Sequence, residues 1–230
     1  MKLEHAPVPA LRPSEYTAAL IQVLQANARR IQGASVLEIG SGSGVVLAAL
    51  GSMGARSLCG TDIEQTAVEI TARLLAEMGF SDRSELFRGD LWQPLPGRRF
   101  DLIAANLPHF PMEPAEVSGR LPTWSAGGAD GRRLLDRFLD GLPQHLSPNG
   151  LAVITHNGFV DLERSRALVK RLGFELRIAS TSLIYIADEK LDLMTDSVLC
   201  AEDGRSIHRY GPYTLAEMHI VEIGAAECFA

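Results

Sequence analysis

The chain has 230 residues, 46% of them hydrophobic and 22% charged, with a formal net charge of −6. That balance supports a sizeable core, excludes a disordered polyelectrolyte and fits a single domain over residues 1–230. The basic residues fall in scattered pairs (Arg29-Arg30, Arg98-Arg99, Arg132-Arg133, Lys170-Arg171) that read as solvated faces, which disfavours nucleic acid as a partner.

After Pro13, residues 14–31 carry Tyr16, Leu20, Val23, Leu24 and Ile31 at helical spacing and predict a leading helix. Ser35–Ile39 reads as a strand that ends at the turn Gly40-Ser41-Gly42-Ser43-Gly44, with a helix starting at Val45. Ser57–Thr61 is a second strand, Glu64–Met78 a helix, Glu85–Arg88 a third strand and Phe100–Ala105 a fourth. A proline-rich loop over 107–123 follows. Beyond it come a helix over Arg132–His145, a strand over Leu151–Thr155, a helix over Leu162–Leu172 and a strand over Phe174–Ala179. This alternation predicts an α/β fold with a doubly wound, mainly parallel sheet.

The end breaks the rhythm, because Glu217–Ile223 alternates polar and apolar residues. An antiparallel strand there leaves 187–213 as a long connection at the carboxyl end of the sheet. Ligands bind outside the carboxyl ends of strands in such sheets. The connection is therefore either a lid or a solvent-side excursion, and both readings stay open.

Cys59, Cys200 and Cys228 lie far apart without CxxC spacing, which argues against a disulfide framework and a zinc cluster; Cys59 reads as a small core residue. His5, His145, His156, His208 and His219 lack ligand spacing, and no metal is assigned. Met1–His5 lacks the apolar core of a signal peptide and no segment reaches membrane-spanning length, so a cytoplasmic chain is expected.

The glycine turn lets backbone pass close to a ligand. Its spacing is G-x-G-x-G, not the dinucleotide G-x-G-x-x-G. Glu38, just before it, would repel a pyrophosphate and accept a cationic sulfonium with an amino-acid tail. Asp62 after the second strand reads as a ribose-diol acceptor or as a helix N-cap, and the glycine turn favours ribose. Asp90 after the third strand reads as an acceptor for the adenine amine or as a turn-forming acid.

The run Val36–Gly44 with Thr61-Asp62-Ile63 resembles class I methyltransferases that use S-adenosylmethionine. Gly89-Asp90-Leu91, Arg99–Ile103 and Asn106-x-Pro108 are similar to the HemK/PrmC family of protein-glutamine N-methyltransferases, as is Arg12-Pro13. Trp124–Arg132, Asp136-Arg137-Phe138 and Leu146-Ser147-Pro148 resemble its single-domain eukaryotic and archaeal branch. The resemblance implies a Rossmann-like class I methyltransferase fold with a seven-stranded sheet and one antiparallel C-terminal strand. It implies S-adenosylmethionine as cofactor and S-adenosylhomocysteine as product. The implied donor site is Glu38, Gly40, Ser41, Gly42, Gly44, Asp62, Ile63, Asp90, Leu91 and Asn106.

An amide nitrogen is a poor nucleophile because its lone pair is delocalised. The family pattern Asn-Pro-Pro-Tyr holds the NH2 with the Asn oxygen and the next carbonyl, and stacks an aromatic ring on its plane. Here the pattern is Asn106-Leu107-Pro108-His109, implied to form the catalytic turn. Leu107 keeps the carbonyl and changes stiffness more than chemistry. His109 can stack, pack or act as a general base. Stacking or packing is favoured, since positioning alone can carry the transfer. If His109 only packs, Phe110 supplies the ring; Trp124 either closes the acceptor pocket or packs in the loop. Asn-Leu-Pro also resembles the adenine-dimethylating ribosomal RNA enzymes, against which the acidic balance weighs.

These residues point to N-methylation of a side-chain amide or amine of a protein or peptide. The alternatives are a small-molecule methyltransferase with a lidded pocket and an inactive donor-binding partner subunit.

Overall fold

The computed structural model describes residues 12–113 and 125–229. Helix α1 (Glu15–Ala26) buries Tyr16, Leu20, Val23 and Leu24 on one face, as an amphipathic helix does. The pattern over 14–31 predicts one helix, but the chain turns at Asn27 before a short α2 (Ala28–Ile31). The Asn27 amide donates to Glu222 Oε1 at 2.7 Å and to the Val23 carbonyl at 3.0 Å. A side chain that bonds its own helix backbone in this way competes with continued winding.

Strands β1 (Ser35–Ile39), β2 (Ser57–Asp62), β3 (Ser84–Arg88) and β4 (Phe100–Ala105) pair in parallel. Helices α3 (Val45–Ser52) and α4 (Gln65–Glu77) make the crossovers from β1 to β2 and from β2 to β3. The other half of the fold is α5 (Arg133–His145), β5 (Leu146–Asn157), α6 (Leu162–Arg171) and β6 (Glu175–Ile186). A last strand, β8 (Tyr213–Gly224), inserts antiparallel between β5 and β6, giving the order β3-β2-β1-β4-β5-β8-β6. Crossovers of one hand that run toward opposite edges put α3 and α4 on one face and α5 and α6 on the other. The direction reverses between β1 and β4, so their carboxyl ends open a crevice.

The sheet has eight strands, not the seven expected, because β7 (Ile207–Tyr210) forms a hairpin with β8. β8 remains the strand that runs against its neighbours. The connection 187–213 is thus built structure: α7 (Asp188–Leu191), α8 (Asp196–Glu202) and β7. β6 continues past Ala179 to Ile186, since Ser180, Thr181 and Ser182 pair with Ile220, His219 and Met218. β5 likewise starts early, at Leu146, with a register irregularity opposite Phe100–Leu102.

Cys59 packs in the core as a small residue. Arg132 corrects its solvated reading, because its side chain is buried between α5 and α6. The guanidinium bonds Asp136 Oδ1 at 2.6 Å, Ser165 Oγ at 3.0 Å and the carbonyls of Val160 and Asp161. A buried cation with every donor engaged is tolerated, whereas losing one partner leaves a costly uncompensated charge.

Candidate active site

The glycine turn leaves β1 with Gly40, Gly42 and Gly44 all at positive φ, at 76°, 50° and 77°. Its first two amides, of Gly40 and Ser41, both donate to the Thr61 carbonyl on β2, at 2.8 and 3.0 Å. Asp62 then locks the turn from the next strand: Oδ2 accepts from the Gly42 amide and Oδ1 from the Glu64 amide, each at 2.9 Å. The N-cap of α4 is Glu64, not Asp62. Gly44 serves packing and does not line the cavity. A Cβ there would sit 2.9 Å from Thr71 Cα, and Thr71 Oγ1 reaches back to Ser41 Oγ at 3.2 Å.

Glu38 is buried beneath this turn and accepts from the Leu47 amide at 3.2 Å. Burial first, and the nearby Asp62 charge among lesser causes, push its carboxyl well above the ordinary 4.5. Asp62 is raised too, mainly by burial, against the opposing pull of its backbone donors. Two carboxylates whose charged forms burial disfavours, set under one turn, form a site that gains from an arriving positive charge.

On the far side of the turn, Ile63 presents an exposed apolar side chain, and Leu91 holds a left-handed backbone at φ 48° without being glycine. Non-glycine residues in that region collect at ligand clamps. Asp90 accepts from Arg137 Nη2 at 2.7 Å, so its carboxylate is already ion-paired at the surface.

Asn106 follows β4. Its Oδ1 accepts from Thr155 Oγ1 on the adjacent β5 at 2.9 Å. The Leu107 carbonyl accepts from His109 Nδ1. His109 is buried, its ring edge-on to Tyr16 at 5.9 Å, and burial lowers its pKa to about 4. That value does not suit a base working near neutral pH. Phe110 is buried as well, and one face of its ring carries the Lys190 ammonium 3.6 Å from the centroid.

The two halves share one cavity of about 420 Å³, within the size range of small-molecule sites. Glu38, Gly40, Ser41, Gly42, Asp62, Ile63, Asp90 and Leu91 line the half beside the glycine turn. Asn106, Leu107, Pro108, His109 and Phe110 line the other half. Trp124 lies outside the described residues.

Sequence reading missed Tyr16 and Glu15, which α1 brings to the cavity, and Lys190, which the 187–213 segment brings. The segment is clasped to the loop after Pro108, where the amide and hydroxyl of Thr195 both donate to the Pro111 carbonyl, at 2.7 and 3.0 Å. Lys190 is half-buried there, and loss of solvation lowers its pKa to about 8. The signal available for Lys190 was only the position of its segment at the carboxyl end of the sheet.

A family described as methyltransferase domain matches residues 36–120. A protein of Methanocaldococcus jannaschii assigned as a protein N5-glutamine methyltransferase is 32% identical over 172 residues, covering 74% of this chain and 86% of that one. Mouse methyltransferase HEMK2 is 39% identical over 147 residues, covering 60% and 67%. The chain spans less than half the length of the bacterial ribosomal protein uL3 glutamine methyltransferases it matches. Among solved structures, the Mtq2–Trm112 complex of E. cuniculi superposes with a TM-score of 0.61 at 18% identity, covering 94% of this chain and 99% of that one. That likeness concerns the fold. Together with the glycine turn and the Asn106 turn on one cavity, the archaeal and mouse relatives decide the matter: the chain belongs to the HemK-like family of S-adenosylmethionine-dependent methyltransferases.

Proposed function

We propose that this enzyme transfers a methyl group from S-adenosylmethionine to a side-chain amide nitrogen of a protein, of the glutamine type named for its relatives. The carrying observation is that the glycine turn and the Asn106–Leu107 acceptor pair face one cavity.

The donor half suits a cationic ligand. Glu38 and Asp62 are poorly solvated carboxylates whose charged forms a positive group would favour, and Gly40 leaves space where a Cβ would otherwise point toward Leu107. We assign Asp62 to the ribose hydroxyls, through the lone pairs its two backbone bonds leave free. Ile63 is assigned to the apolar face of the adenine, and Asp90 and Leu91 to its rim.

When bound, S-adenosylmethionine supplies a methyl on a positively charged sulfur. The chain's own part is to aim the acceptor. Asn106 Oδ1 and the Leu107 carbonyl each keep a lone pair for an acceptor N–H, since each uses one on Thr155 or His109. Two acceptors at fixed positions orient the nitrogen toward the donor half, and such alignment supplies much of the rate in a displacement. The 187–213 segment forms a wall on this side, through Lys190 and the Thr195 clasp.

The relatives' names refer to protein acceptors, which favours a protein over a metabolite. Retention of Asn106 with its Thr155 brace favours an active enzyme over a donor-binding subunit.

The test is incubation of the full chain with isotopically labelled donor and cell extract, followed by mass spectrometry. Label on a protein side-chain amide is expected. Label confined to metabolites or nucleic acid contradicts the reading.

A further inference from the structure

The Asn106–His109 turn departs from its family pattern at 107 and at 109. The structure joins these two positions through the contact between His109 Nδ1 and the Leu107 carbonyl. A carbonyl can only accept, so Nδ1 carries the proton. In the neutral ring Nε2 is then a bare lone pair, and it is buried with no partner among the described residues.

One other orphan complements it. Nδ2 of Asn157, at the end of β5, is a donor, likewise buried and unpartnered among the described residues. After burial and the Leu107 bond, two side chains act on His109: the Lys190 charge, which lowers its pKa, and Asn157, which raises it. Its Oδ1 accepts from the Tyr16 hydroxyl at 2.8 Å, which leaves the amide NH2 as the end free to serve the imidazole. Tyr16 thus fixes which way Asn157 points, and the Leu107 carbonyl keeps the His109 proton on Nδ1. That proton reaches the carbonyl which faces the acceptor.

Proline at 107 would lock φ, whereas leucine leaves that peptide freer to rotate. A side-chain bond from two residues onward restores the restraint by other means.

We propose that His109 is a positioning residue that holds the Leu107 carbonyl for the acceptor nitrogen, and that Asn157 and Tyr16 brace it. The proposal rests on the amide-methylation reading. It makes the Leu107 and His109 departures one compensated change. β5 then braces Asn106 directly through Thr155 and sets Asn157 close to His109.

The experiment measures initial label incorporation from tritiated S-adenosylmethionine into saturating cell-extract protein, with donor affinity by calorimetry on the same full-length proteins. His109→Asn keeps an N–H near the Nδ1 position, and His109→Phe keeps only the ring. The expected loss of rate is about 10- to 100-fold for His109→Phe and less than about fivefold for His109→Asn, with donor Kd unchanged in both. Tyr16→Phe removes one hydroxyl and loses about three- to tenfold in rate, which keeps the proposal testable if His109→Phe does not fold.

A wild-type protein that labels no protein overturns the amide reading and the proposal with it. A wild type that labels protein, with His109→Phe or Tyr16→Phe at the wild-type rate, overturns the proposal alone. So does His109→Asn falling as far as His109→Phe, which would mean that the ring itself does the work.

Discussion

The hydroxyl of Thr155 donates to Oδ1 of Asn106 at 2.9 Å, so a side chain at the end of β4 is aimed from the neighbouring strand β5. The bond leaves Oδ1 one lone pair toward the cavity and restrains rotation of the amide. Thr155→Val keeps the branched shape and removes the donor. Its expected effect is a loss of about 10-fold or more in kcat with donor affinity retained, read by steady-state rates beside calorimetry. Equal loss of donor affinity would mean that Thr155 supports the pocket as a whole.

Asp62 has two jobs in this account, locking Gly42 and Glu64 through their amides and receiving the ribose. Asp62→Ala removes both, and donor affinity should fall by about 10- to 100-fold, the scale of a hydrogen bond to a charged group. Asp62→Asn retains one acceptor oxygen and should fall between the two. An unchanged Kd in the alanine variant removes Asp62 from the donor site.

A pH effect on stability follows from His156, buried on the opposite face of β5 from Asn157. Its Nδ1 donates to the Asn157 carbonyl at 2.8 Å and its Nε2 accepts from Ser165 Oγ at 2.9 Å. Burial, and then the neighbouring His109, lower its pKa from 6.5 to about 3. The unfolded chain therefore binds a proton below pH 6.5 that the folded chain refuses until about pH 3. The stability this residue contributes is complete above pH 6.5 and is lost as pH falls toward 3. Replacement by Gln should flatten the acid limb of the stability curve by up to about 1.4 kcal/mol per pH unit. Urea unfolding at a series of pH values checks it, and a slope equal to that of the wild type contradicts it.

Much of the cavity lining was legible because it is local. Gly40, Asp62 and Asp90 each lie at or just past the carboxyl end of a strand, and strand ends in a parallel sheet converge on one crevice whatever the rest of the chain does. Asn106 was legible for the same reason. Gly44, which falls outside the cavity lining and against Thr71 of α4, shows why the sequence could not sort the turn's glycines: one needed for packing has the same letter as one needed against a ligand.

The brace behind the acceptor was not legible. Tyr16 and Asn157 lie 141 positions apart and meet only when α1 packs on β5. Tyr16 simply looked like one more apolar position in α1. Arg132 read as solvated because a cation's burial depends on Asp136, Ser165 and two carbonyls, none of which its own neighbours in sequence announce. The far half of β6 was hidden by Ser180, Thr181 and Ser182, whose strand conformation comes from pairing with β8 rather than from their own propensity.

Asn106 is proposed to clamp the acceptor nitrogen in the cavity it shares with the glycine turn. Asn106→Ala tests it most directly, with single-turnover methyl transfer and donor binding measured on the same protein. Donor affinity within about threefold of wild type, together with a loss of transfer of about 1,000-fold or more, is the predicted result. Transfer at the wild-type rate with the donor bound would contradict it and place the acceptor elsewhere.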